Sequence, residues 1–154
     1  MSKIYKLHKK QFLPISKEEA WSFFSNPNNL PSITPPKLGF KVENESPDYI
    51  YPGQVHLYTV RPLLGIPLTW MTEITHVEEG KFFVDEQRTG PYAIWHHEHH
   101  FRETEGGVEV EDLIHYKLPF WIFGDIANFL IVKRDLEYIF NYRNKILGER
   151  FGSL

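Results

Sequence analysis

Four of the chain's eight histidines fall within five positions, in the run Trp95-His96-His97-Glu98-His99-His100-Phe101. Imidazole exchanges protons near neutrality and is a common metal ligand, so this run could serve acid–base chemistry, orient a polar ligand or hold an ion. If the segment is a strand, alternation divides it. Trp95, His97, His99 and Phe101 share one face, and His96, Glu98, His100 and Arg102 share the other. The aromatic residue at each end of the first row predicts that this row faces inward. On the following segment Val108, Val110, Ile114, Tyr116 and Leu118 make an apolar row in which Asp112 is the odd acid. A carboxylate and two imidazoles are thereby expected on one inner surface. On the preceding segment Phe82 and Val84 compete with Phe83, Asp85 and Gln87 for the inward face.

These residues need a sheet to position them, and the chain supplies one. Ile4 to Leu13 alternates and ends at Pro14. Ser16-Lys17-Glu18-Glu19 has the spacing of a capping box, followed by Ala20, Trp21, Phe23 and Phe24 as the apolar face of a helix that should stop near Asn26-Pro27. A second short helix is expected around Asn29 to Ile33. From Phe40 to Leu118 the period is two, with turn residues at intervals, which predicts six strands: Phe40 to Asn44, Gln54 to Val60, Leu68 to Val77, Lys81 to Thr89, Ala93 to Glu103 and Val108 to Leu118. Asp125 to about Phe151 then has helical spacing, with Phe129, Val132, Leu136, Ile139, Phe140, Ile146 and Leu147 in one stripe. The expected class is α+β, with seven antiparallel strands in the order β-α-α-β6-α. The last helix is the natural cover for one face of that sheet.

The 154 residues suit one domain spanning 1–154, and 42% hydrophobic and 16% aromatic content is enough to enclose a real core. A formal charge of −3 without a recurrent basic stripe argues against nucleic acid as a partner. The absence of cysteine removes disulfides and thiolate chemistry and fits a reducing, cytoplasmic setting. Met1 to Phe12 lacks the apolar core of a signal peptide. The most apolar stretch, Leu118 to Val132, is broken by Pro119, Gly124, Asp125 and Asn128, so no integral membrane segment is expected. There is no Gly-x-Ser-x-Gly elbow, and Gly106-Gly107 lies in a hairpin rather than before a helix, so neither a serine nucleophile nor a phosphate loop is indicated.

The order of elements resembles the helix-grip superfamily, which includes the birch-pollen allergen, lipid-transfer START domains and polyketide cyclases. Phe83-Val84-Asp85-Glu86-Gln87, Gly90-Pro91-Tyr92, the histidine run, Asp112 to Tyr116 and Leu118-Pro119 resemble the bacterial ligand-binding SRPBCC proteins, some of which stand beside or are fused to sugar-nucleotide epimerase domains. The resemblance implies a curved sheet wrapped around the C-terminal helix, an apolar cavity between them, and Phe83, Asp85 and Gln87 pointing in. The superfamily hosts carriers, receptors and enzymes, so it implies the fold more closely than the activity.

With Asp85 and Gln87 inward, they and Tyr116 join His97, His99 and Asp112 as candidates for one polar group. Such a set can be a satisfied structural network, can orient the polar end of a ligand, or can act as acid and base. A metal is a weaker reading, because His-x-His occurs on both faces and no distant third ligand is evident from sequence. No metal or cofactor is therefore expected. Trp70, Trp95, Phe129 and Phe140 could line a pocket or fill a core, and Trp121, Ile122 and Phe123 could gate its mouth or make a dimer contact. The expected function is binding or transport of a small hydrophobic or amphipathic ligand. The expected ligand-binding set is Trp70, Gln87, Trp95, His97, His99, Phe101, Asp112, Tyr116, Phe129 and Phe140, and no catalytic residue is assigned. The alternatives are a cyclase-, aromatase- or hydrolase-like enzyme using the His/Asp cluster, and a partner-binding regulatory domain, with a homodimer or a neighbouring enzyme as the partner.

Overall fold

The computed structural model describes residues 3–62, 65–119 and 125–153, and of 125–128 the backbone alone. The candidate gate at 121–123 lies outside the described residues. Strand β1 (Ile4–Leu13) is followed by helix α1 (Lys17–Phe24), 3-10 turns at Pro27–Ile33 and Pro36–Leu38, and six further strands. These are β2 (Lys41–Val42), β3 (Val55–Val60), β4 (Leu68–Glu78), β5 (Phe82–Thr89), β6 (Ile94–Thr104) and β7 (Gly107–Lys117), and α2 (Asp125–Phe151) follows them. All seven strands form one antiparallel sheet in the order β1-β7-β6-β5-β4-β3-β2, wrapped around α2. Among the described residues no helix is long and apolar enough to cross a membrane.

Local chemistry sets the boundaries. Ser16 caps α1 by accepting from the Glu19 N–H at 3.1 Å. The second short helix begins earlier than its apolar residues suggest, because Asn26 accepts from the Asn28 N–H at 2.9 Å and Pro27 is pre-set for a first helical position. β2 is shorter than the alternating pattern implies. There the Asn44 side chain takes over the ladder, accepting from the Leu57 N–H at 2.7 Å and donating to the Val55 carbonyl at 3.0 Å. The β4–β5 pairing carries two register shifts, between Met71 and Thr72 and between Ile74 and His76. Such irregularities bend and twist a strand pair.

Two apolar clusters fill the interior. One gathers Leu13, Phe23, Phe83, Phe101, Val108, Val110 and Leu147; the other gathers Leu7, Trp95, Ile114, Tyr116, Leu136 and Phe140. Along β6 the chain passes from the second cluster at Trp95 to the first at Phe101, along β7 from Val110 to Ile114, and along α2 from Phe140 to Leu147. In each case polar residues fill the gap: His97 and His99, Asp112, and Arg143. A polar belt therefore crosses the waist of the molecule between two apolar halves.

Candidate ligand-binding site

Neighbouring strands build the belt in register: His97 is opposite Asp85 on one side, and His99 is opposite Asp112 on the other. Asp112 Oδ1 lies 2.7 Å from His97 Nε2 and 3.3 Å from His99 Nδ1. Asp85 Oδ2 lies 2.6 Å from His99 Nε2 and 3.7 Å from His97 Nδ1. The two imidazoles face each other with centroids 3.7 Å apart, and Phe83 stacks on the far side of His99 at 4.1 Å. From α2, Arg143 places Nη1 3.8 Å from Asp112 Oδ1 and its guanidinium 4.8 Å from the Phe140 ring centroid. His97, His99, Asp112 and Arg143 are all buried.

Charges in such a place depend on one another. Burial would push both carboxyls up. For Asp85 the hydrogen bond from His99 and the nearby imidazoles outweigh it, and for Asp112 the bonds from His97 and His99 with the Arg143 charge do so, holding both below the usual carboxylate range. His97 is pushed down, first by burial and then by His99 beside it. Burial also opposes the charge on His99, but its bonds to Asp112 and Asp85 carry it above the usual imidazole value. His56 is pushed down by burial. Burial likewise keeps the Tyr58 phenol protonated, as a donor.

Beside this belt lies a cavity of about 180 Å³, walled by the concave sheet, the Pro27–Ile33 turn and α2. Its wall is mostly apolar, and Asp85, His97, His99, Arg143 and His56 contribute to it. Of the expected ligand-binding set, Trp70, Trp95, His97, His99 and Phe140 line the cavity. Gln87, Phe101, Asp112, Tyr116 and Phe129 are not among its described lining residues. Gln87 instead clamps the turn before β6, donating to the Tyr92 carbonyl at 2.6 Å and accepting from the Tyr92 N–H at 3.2 Å. The clamp requires Gly90, where a Cβ would fall 2.5 Å from Gln87 Oε1 and 2.6 Å from Trp70 Cδ1. Phe101 packs against Trp21 and Phe24, Tyr116 against Tyr5 and Tyr92, and Phe129 stacks on Tyr5 at 4.2 Å. Asp112 stands beside the imidazoles on the neighbouring strand, outside the cavity lining.

Sequence reasoning missed Arg143 and His56. Arg143 is legible in retrospect, since it follows Phe140 by three and precedes Leu147 by four on the buried stripe. His56 shares a face with Tyr58 and Val60 on a strand too short to advertise which side is buried. Asp85, His97 and His99 each offer one donor atom, all within 4.8 Å of one another, and could hold a metal ion.

No family model and no curated protein sequence matches the chain. Solved structures do. Protein CV1439 from Chromobacterium violaceum superposes with a TM-score of 0.71 at 11% identity, over 97% of this chain and 99% of that one. A nucleoside-diphosphate sugar epimerase from Corynebacterium glutamicum gives 0.67 at 21% identity over 93% of this chain, but only 28% of that one. The di-domain ARO/CYC StfQ from the steffimycin biosynthetic pathway gives 0.69 at 12% identity, over 97% of this chain and 52% of that one. At these identities the likeness is one of fold: the START/Bet v 1-like helix grip expected from the element order.

Proposed function

We propose that the protein binds a small amphipathic molecule in the cavity between sheet and α2, with the apolar part against Trp95 and Phe140 and the polar end toward His97, His99 and Arg143. One observation carries this reading. Four buried side-chain atoms lack a hydrogen-bond partner among the described residues, and three of them, His56 Nε2, Trp70 Nε1 and Arg143 Nε, belong to residues that line the cavity. An unmet buried polar group costs about 1–3 kcal/mol, so a guest whose oxygen or nitrogen meets one of these atoms after a small side-chain shift recovers that cost. The size also constrains the guest. An apolar cavity of about 150 Å³ accommodates benzene, so about 180 Å³ suits a one-ring molecule or a short branched chain rather than a polycycle.

Native mass spectrometry of protein purified from its own host, followed by titration of stripped protein with one-ring aromatic acids and alcohols and their hydrocarbon counterparts, tests the reading. The expected result is a bound small molecule and tighter binding of the polar-ended series. Binding of neither series would overturn it. A second reading, acid–base catalysis on such a guest, is favoured by the exposure of His97 and Asp85 to the cavity rather than behind it. Turnover of a bound guest, abolished in His97→Gln, would establish it.

A further inference from the structure

We propose that Asp85, His97 and His99 bind one divalent first-row transition-metal ion at the polar end of the cavity, with Asp112 holding both imidazoles in the ligating tautomer and the cavity side left open for an exogenous ligand.

Asp112 sets the protonated nitrogen of each ring. An ionised carboxylate only accepts, so the nitrogens it holds, His97 Nε2 at 2.7 Å and His99 Nδ1 at 3.3 Å, carry hydrogen. In the neutral rings this leaves lone pairs on His97 Nδ1 and His99 Nε2. Both of these nitrogens lie against one atom, Asp85 Oδ2, at 3.7 and 2.6 Å. In the metal-free site a proton on His99 Nε2 bridges the 2.6 Å to Asp85 Oδ2, and a divalent cation that displaces this proton meets all three donor atoms at once. Carboxylate–imidazole–metal relays have this form, the outer carboxylate fixing ring orientation and raising ligand basicity. Here one carboxylate serves two rings, and Arg143 behind it opposes its charge.

Ligand bonds of about 2.0–2.2 Å require donor atoms roughly 3 to 3.5 Å apart, so Asp85 and His99, now 2.6 Å apart, must open by about 0.4–0.9 Å, while Asp85 and His97, at 3.7 Å, close slightly. Two imidazoles and one carboxylate with remaining positions open suit iron(II), cobalt(II) or zinc(II), not calcium or magnesium. A second observation points the same way. His56, 4% exposed and lining the same cavity, has an Nε2 without a partner among the described residues, an unmet polar group on the wall past which an exogenous ligand of the ion would lie.

The test is titration of chelator-treated full-length protein with cobalt(II), read by visible absorption and calorimetry. The expected result is one ion per chain with ligand-field bands of low-symmetry cobalt. Asp85→Asn and the pair His97→Gln/His99→Gln should lose at least tenfold in affinity. Asp112→Asn should lose about 10–100-fold, the usual cost of an outer-shell partner. The outward pair His96→Gln/His100→Gln should bind as the native chain does. Absence of binding by the native protein overturns the proposal, as does binding that survives Asp85→Asn but is lost in the outward pair. If an inner variant fails to fold, anomalous scattering from a cobalt-loaded crystal of the native chain decides: an ion bonded to Asp85, His97 and His99 supports the site, and one elsewhere overturns it. Failure here leaves the cavity proposal standing, because guest binding is measured on metal-free protein.

Discussion

On the outer face of β6, His96 Nδ1 lies 2.6 Å from Glu86 and its Nε2 3.3 Å from Glu98, while His100 Nε2 lies 2.8 Å from Glu98; about a third of each imidazole, 33% and 35%, is exposed. On the inner face His97 and His99 have carboxylate bonds just as short, with 6% and 11% of each side chain exposed. Residue types and contact lengths nearly coincide, so neither explains why one set can be a site and the other a solvated surface. Burial does. Outside, water and ions compete for every charge, and paired groups gain little over their hydrated forms. Inside, each proton and carboxylate needs a protein partner, and an unmet group is expensive.

The largest expected effect follows from that contrast. Asp112→Ala should cost about 3–5 kcal/mol in urea unfolding, since it strands two imidazole N–H groups and the Arg143 charge in the interior. Glu98→Ala, which removes the common acceptor of the outer pair, should cost less than about 1 kcal/mol. Equal losses at the two positions would break the comparison.

Protonation gives a second probe. His56 and His97 are held below the ordinary imidazole value near 6.5. The unfolded chain therefore binds more protons below that value, and stability should fall with acid by about 1.4 kcal/mol per pH unit for each group. His99 is held above it, so its contribution is complete below about 6.5 and is lost as pH rises through its folded value. Stability of metal-free protein should peak near pH 6.5, and His56→Leu should flatten the acid limb. An acid limb unchanged in His56→Leu would place the titrating groups elsewhere.

The smallest effect is expected from the outer pair itself: His96→Gln/His100→Gln should change stability by less than about 1 kcal/mol and leave guest binding unaltered. A larger loss of either would mean that the outer face serves more than solubility.

How much of this was legible beforehand depends on whether the information is local. The cap at Ser16, the facing of β6 and the span of α2 follow from patterns of one residue in two or in about four, and these appear in the structure as the sequence implies. The facing of Asp85 needed a family resemblance, because β5 has apolar residues of both parities and Phe83 and Val84 are both buried. Asp85 was an inward candidate in the sequence, but its position against a nitrogen of each imidazole is a matter of inter-strand register. Arg143 was obscured by its own type, since a cation on an apolar stripe reads as an interruption until the carboxylate opposite is seen. Whether Trp95 and Phe140 line a space or fill it depends on how far the sheet curls. The register shifts of β4 and β5 contribute to that curl, and no hydrophobic period records it.

Xenon is the most direct probe of whether the grip is hollow, because it occupies dry apolar cavities without requiring any polar match. A crystal of the stripped protein under xenon pressure should show the atom between the concave sheet and α2, in contact with Trp95 and Phe140. Side chains closed over that volume, with no xenon inside, would contradict the account.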